Sequence, residues 1–266
     1  MYVFAIAGDG AEAGLERLLA ELDGRVGVVH RTGTAGDGGV VAARGDTEYV
    51  VDDGDEWRAS GDGLSVGEAV DRLAPDHEYA ALVGAGTADV PTIAVDGGPD
   101  DAEVTAPRAD ALDVEAARAA IRAADPRETL ESLVAAVKRS AAADRAGAIS
   151  TFTGRVRERD GDDDDPTRYL EFEKYDGVAE GTMRTIEREL EEREGVLDVR
   201  LHHRTGRVEA GEDIVFVVVL AGHRREAFRA VEDGIDRLKD EVPLFKKEVT
   251  ASETFWVHER ESATHR

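Results

Sequence analysis

The chain has no cysteine, which excludes disulfides, thiolate nucleophiles and cysteine-ligated zinc or iron–sulfur clusters. Any sulfur chemistry has to draw its sulfur from another molecule. Positive charge is scarce, with 33 Lys and Arg against 58 Asp and Glu and a formal charge of −25 over 266 residues. This argues against broad nucleic-acid or anionic-membrane binding, because polyanions would be repelled, and a phosphate-bearing ligand needs a local basic pocket. No segment approaches the roughly eighteen continuous apolar residues of a membrane span. The opening "MYVFAIAGDG" has no basic leader or small-residue cleavage pattern, so a cytoplasmic location is expected.

Lysine is the scarcest basic residue, with five copies against 28 arginines. Acid excess, few lysines and small apolar residues match the proteins of salt-loving archaea, whose carboxylate surfaces stay hydrated while salt screens their self-repulsion. The hydrophobic share of 41% is enough for packed cores, and the length suits two domains. In residues 1–98, "YVFAIA" reads as a buried strand and "AEAGLERLLAELDG" as a helix. Strands and helices go on alternating to "PTIAVDG", which predicts an α/β layered domain. Residues 99–125, rich in Ala, Asp and Pro, read as a linker with a small helix. Residues 126–266 interleave helices with strands, and antiparallel pairing across Gly206–Gly211 makes α+β the expected class.

"GDGAEAG", Gly8 to Gly14, follows a strand and opens a helix, where glycine loops offer backbone N–H groups to phosphate. The residues do not complete a phosphate loop. With Gly14 as its second glycine, Leu15 and Glu16 stand where Lys and Ser/Thr belong, and Asp9, Glu12 and Glu16 would repel a triphosphate. Even so, "VFAIAGDG", "LERLLAELDGRVGVVHR" and "YAALVGAGTADVPTIAVDG" resemble the accessory GTP-binding protein of molybdopterin guanine dinucleotide biosynthesis. That resemblance implies a degenerate P-loop-NTPase-like domain over 1–98.

The second domain carries "GAISTFTGRVRERD", "LEFEKYDGVAE", "HHRTGRVEAGEDIVFVVVLAGHRREAF", "LKDEVPLFKKE" and "FWVHER" in that order. Over residues 126–262 these motifs closely resemble the large, catalytic subunit of molybdopterin synthase. The resemblance implies an α/β-hammerhead-type fold and transfer of two sulfurs onto cyclic pyranopterin monophosphate, which is substrate; no cofactor is expected. The sulfur would arrive as the C-terminal Gly-Gly thiocarboxylate of a small ubiquitin-like partner, on a homodimer within a heterotetramer. A cysteine-free chain permits this chemistry.

Carried over by position, the essential lysine of the family falls on Lys239 and its second lysine on Lys246. An ammonium there would stabilise developing oxyanion character or move a proton. Pro243 is expected to end the preceding helix and turn the chain so that both amines reach one pocket; the plain alternative is that they complement a helix C-terminus. Arg157 matches the phosphate-binding arginine and Phe152 the pocket wall. Strand alternation predicts Arg155, Arg157 and Arg159 on one face as a basic ridge. His223 and Arg224 open the long helix and match substrate-binding positions, although a lone histidine there also suits a cap. Arg260 matches an arginine that reaches the neighbouring subunit's pocket, or is simply a frayed terminal residue. His202 and His203 lack a third ligand at metal spacing, and no metal site is expected. Two other readings stay open: a non-catalytic binding module for ubiquitin-like proteins, and a nucleotide-dependent accessory that depends on the Gly8 loop.

Overall fold

The computed structural model describes residues 1–31, 47–51, 57–84, 90–159, 161, 165–175, 177–250 and 254–257. The chain divides into two compact units, Met1–Thr129 and Leu130–Arg266.

The first unit runs β1 (Tyr2–Ala7), α1 (Ala11–Leu19), β2 (Val26–His30), the hairpin β3 (Thr47–Val51) and β4 (Trp57–Gly61), α2 (Val66–Leu73), β5 (Tyr79–Val83), β6 (Thr92–Val95), β7 (Val104–Ala106) and α3 (Val114–Ala123). Five of these strands form a parallel sheet in the order β2-β5-β1-β6-β7. Strand alternation covers both of its faces. Phe4 and Ile6 of β1 pack with Leu15, Leu18 and Ile121, whereas Val3 and Ala5 pack with Val70. A strand covered on both faces has to read as a continuous apolar run, as "YVFAIA" does. Ser65 starts α2 with a reciprocal capping box to Glu68.

The segment 99–125 is not a linker. It supplies β7, paired in parallel with β6, and α3, whose Ala117 and Ile121 are fully buried in the core of the first unit. Its shortage of large side chains reflects close packing of an alanine-rich helix on the sheet.

The second unit contains α4 (Leu130–Lys138), β8 (Ala148–Arg155), β9 (Thr167–Lys174), α5 (Val178–Glu191), β10 (Val196–His203), β11 (Gly206–Glu209), β12 (Asp213–Ala221), α6 (Arg224–Glu241), β13 (Leu244–Thr250) and β14 (Thr254–Val257). The strands form two antiparallel sheets, β10-β12-β8 and β11-β9-β13-β14. Central strand β12 sends Val215, Val217 and Val219 into the core shared with α5 and α6, and Phe216, Val218 and Leu220 towards α4. Between β10 and β12 the chain makes an excursion into the second sheet as β11. It is bounded by Gly206 and Gly211 with φ of 74° and 87°, a left-handed region that glycine enters at no steric cost.

Candidate functional site

Helix α6 organises the predicted residues. His223 is its N-cap and Arg224 its first residue, both exposed, and Lys239 lies exposed in its last turn. The helix ends at Glu241, and the cap Val242 is extended with ψ of 120°, as the residue before Pro243 has to be. The chain then reverses into β13, which carries Lys246. Leu238, beside Lys239, is buried in the main core of this unit, and Leu244, two residues before Lys246, packs against the same core, as does Phe152 from β8. One core thus carries Lys239, Lys246 and Phe152.

The environments of the lysines differ. Among the described residues Lys239 has no carboxylate partner. The Lys246 amine lies 4.0 Å from Glu248, with its side chain 37% exposed. Lys246 stands directly across from Phe172 of β9, so it shares that residue's core-facing side. Lys247 alternates to the other face, where it donates to Glu171 across the strand pair at 2.9 Å. The lysine that shares Lys246's face is Lys174, which pairs with Leu244 in register and is bound to Glu180 in the first turn of α5. The alternation in "LEFEK", with Leu170, Phe172 and Lys174 on one side and Glu171 and Glu173 on the other, carried that signal in the sequence.

The arginine ridge does not form as expected. Strand β8 ends at Arg155, so alternation does not extend to Arg157 and Arg159. Val156 turns inward and is 2% exposed. Arg155 is bound to Asp213 at 3.0 Å and to the carbonyl of Gly211, which makes it a clamp on the start of β12. Arg157 lies exposed just past the strand end. Arg260 lies outside the described residues.

The second departure is one of distance. Fifteen residues of α6 separate Arg224 from Lys239, about 22 Å at the rise of an α-helix. A single chain therefore separates Lys239, in the last turn of α6 with Lys246 on the strand that follows, from His223 and Arg224 at the other end of the helix.

Two half-buried ionisable groups are shifted by their surroundings. Burial pushes the His203 imidazole down to about 4, so it is neutral, with Nδ1 2.7 Å from the Arg204 carbonyl and its ring edge-on to Phe172 at 4.8 Å. His202 stacks instead on Phe216; adjacent strand residues face opposite sides, so the two imidazoles share no ligand set. Burial also pushes the Glu187 carboxyl up to about 7. Neither shift is legible from a local string, because each depends on what packs over the side chain.

In the first unit, the Gly8 loop uses its N–H groups internally. Asp9 and Gly10 donate to the carbonyls of Asp96 and Val95, both at 3.0 Å. Gly8 has φ of 99°, and a Cβ there would sit 2.1 Å from the Val95 carbonyl oxygen. The strand-to-helix turn is thus closed against β6, with the N–H groups of Asp9 and Gly10 occupied. A concavity of about 430 Å³ in the second unit, lined by Arg193, Glu226, Arg229 and Asp233 among others, holds none of the predicted residues. Among the described residues no helix is long and apolar enough to cross a membrane.

Exposed Lys239 and Arg157 and half-buried Lys246 and Phe152 lie on an α+β domain of an otherwise anionic chain, a set of cations whose charge suits an anionic ligand. The profile of the MoaE protein family matches residues 126–241. A probable molybdopterin synthase from the halophilic archaeon Haloferax volcanii is 53% identical over 98% of this chain and 100% of its own length. The molybdopterin synthase catalytic subunit of Cereibacter sphaeroides is 41% identical over 44% of this chain and 77% of its own. The crystal structure of molybdopterin synthase from Staphylococcus aureus matches 43% of this chain and 82% of that chain at 34% identity, with a TM-score of 0.41. The chain belongs to the MoaE family, that of the molybdopterin synthase catalytic subunit.

Proposed function

We propose that the protein is a molybdopterin synthase catalytic subunit that transfers sulfur to cyclic pyranopterin monophosphate, building the dithiolene of molybdopterin. The sulfur donor is the C-terminal thiocarboxylate of a small ubiquitin-like protein. The observation that carries the reading is Lys239: in a chain with 58 carboxylates, it stands at the end of α6 with none of them as partner among the described residues. An amine kept clear of carboxylates is available to an incoming anion.

The roles follow from chemistry and position. The partner's thiocarboxylate sulfur bonds to a substrate carbon as a C–O bond at that carbon breaks, the oxygen leaving with the electron pair and taking up a proton, which gives an acyl thioester; water then adds to the acyl carbon and the acyl C–S bond breaks, so that the sulfur stays on the substrate and the partner leaves as a carboxylate. Lys239 stabilises the oxyanion that develops at the acyl carbon. Lys246 and Arg157 hold the anionic substrate, and Phe152 walls the pocket. His223 and Arg224, with Arg260, serve the site of a second copy in a homodimer, since α6 holds the first two too far from Lys239 in their own chain. A binding module that only captured a ubiquitin-like tail would have no use for this set of cations. The first unit is a degenerate GTP-binding-like domain without a working phosphate loop, a reading supported by the occupied N–H groups of Asp9 and Gly10. Incubating the pure protein with a thiocarboxylated partner and cyclic pyranopterin monophosphate tests the reading. Formation of molybdopterin supports it, and tail binding without product leaves only the binding module.

A further inference from the structure

Strand β9 does not keep one register along its length. From Lys174 back to Tyr169 it pairs residue for residue with Leu244 to Val249 of β13, but Thr250 then pairs with Thr167, so Arg168 has no opposite number on β13. This is a bulge of one residue, a device that re-aims side chains. Under unbroken alternation Arg168 would follow Lys174, Phe172 and Leu170 onto the core-facing side, and Thr167 would point outward. Instead Thr167 is 8% exposed and Arg168 lies exposed. An inward Arg168 would stand diagonal to Glu248, which pairs with Leu170, and would offer that carboxylate a guanidinium. The bulge puts a hydroxyl there in its place.

That hydroxyl is used. Thr167 Oγ1 donates to Oε1 of Glu248, while Oε2 of the same carboxylate lies 4.0 Å from the Lys246 amine. Lys246 and Glu248 are alternate residues of β13 and share a face. The separation exceeds a hydrogen-bond length, so the carboxylate faces the ammonium without closing on it. The backbone of Thr167 reaches a second part of the site, because its N–H donates to the Glu158 carbonyl at 2.8 Å, next to Arg157. One buried threonine thus ties the strand that carries Lys246 to the segment that carries Arg157.

We infer that Thr167 is a positioning residue for the anionic substrate: its hydroxyl holds Glu248 back from Lys246, so that the amine stays available to the ligand, and its N–H fixes the segment that presents Arg157. This rests on the reading of Lys246 and Arg157 as substrate-holding cations given above. Without the hydroxyl, Glu248 is free to close a full ion pair with Lys246, and the substrate has to break that pair before it binds. The loss falls on binding rather than on chemistry, since Lys239, the amine assigned to the acyl carbon, is not part of this chain of contacts.

Thr167→Val keeps the branched shape that suits a strand and removes the donor. With thiocarboxylated partner in excess, it is expected to raise KM for cyclic pyranopterin monophosphate about tenfold, the size of one hydrogen bond to a charged group, and to leave kcat within about twofold of wild type. Thr167→Ala, which also lacks the donor, should do the same, and Thr167→Ser, which restores it, should return KM towards the wild-type value. In a Glu248→Gln background Thr167→Val should add less than about twofold, whereas a threonine needed only for folding would cost as much there as in the unmodified chain. A second readout needs no turnover. The chain has only five lysines, so carbon-13 resonances of their Cε atoms are assignable by single substitutions. The Lys246 resonance should move in Thr167→Val and return in Thr167→Ser, while that of Lys138 stays in place. A wild-type chain that makes no molybdopterin ends the catalytic reading and, with it, the role inferred for Thr167. An active wild-type chain in which Thr167→Val leaves KM and the Lys246 resonance unmoved, or adds its full effect to Glu248→Gln, overturns the inference alone.

Discussion

Trans-complementation follows directly from the geometry of α6. Take two variants, Lys239→Ala and the double variant His223→Ala with Arg224→Ala, each expected to be inactive as a homodimer. In one chain Arg224 and Lys239 are fifteen residues apart on an unbroken helix, about 22 Å, and no side-chain rearrangement closes that distance without breaking α6. If both groups act on one substrate, they come from different copies. A heterodimer of the two variants then contains one site lacking every altered residue's contribution and one site with none altered. It should retain about half the wild-type activity per dimer, and a random mixture of the two chains about a quarter, because half the dimers are then mixed. If each site is built within one chain, both sites in the heterodimer are damaged and activity stays at the level of the parents. The heterodimer is isolated by co-expression with two different tags, and molybdopterin formation is measured with excess thiocarboxylated partner. A stable, correctly folded heterodimer no more active than either parent would refute the composite site.

Other expectations are narrower. Lys239→Ala should slow sulfur transfer by at least about a hundredfold, as removal of one preorganised charge does, with partner binding intact, and Lys239→Arg should not restore it because guanidinium holds its proton and has a different shape. Lys246→Ala should slow transfer less, and Lys247→Ala, on the opposite face and bound to Glu171, should change it little; equal indifference at all three would end the catalytic reading. Glu187 is pushed up to about 7, so it binds its proton more tightly folded than unfolded, and its contribution to stability is greatest below about pH 4.5 and lost as the pH rises through 7. Glu187→Gln, which mimics the neutral form, should therefore stabilise the protein by about 1–3 kcal/mol at pH 8 and by much less at pH 5; denaturation curves with the same difference at both pH values would contradict this. GTP and ATP should bind the first unit no better than millimolar, since Asp9 and Gly10 spend their N–H groups on Asp96 and Val95, and micromolar, magnesium-dependent affinity by calorimetry would show the loop to be open.

Much of this protein was legible in its sequence, because the relevant physics is local. The absence of cysteine means that any sulfur the protein handles comes from another molecule, and the net charge made any anion site a local exception. Pro243 marked the end of α6, since a proline forces the residue before it into extended backbone. The order of motifs from "GAISTFTGRVRERD" to "FWVHER" marked the part of the chain in which the family match lies. What depends on packing was not legible. The alanine-rich segment 99–125 looks like a linker until α3 is seen against the sheet, because only contact shows that small side chains are there to allow close approach. Arg155, Arg157 and Arg159 keep an alternating spacing that ceases to matter where β8 ends at Arg155. The sequence brings Lys246 and Lys247 together, yet the register of β13 against β9 puts them on opposite faces and sets Lys174 beside Lys246 instead. The separation of His223 from Lys239 was decided by tertiary structure as well: the spacing was visible along the chain, but only an unbroken helix turns sixteen residues into a distance too long for one small-molecule site.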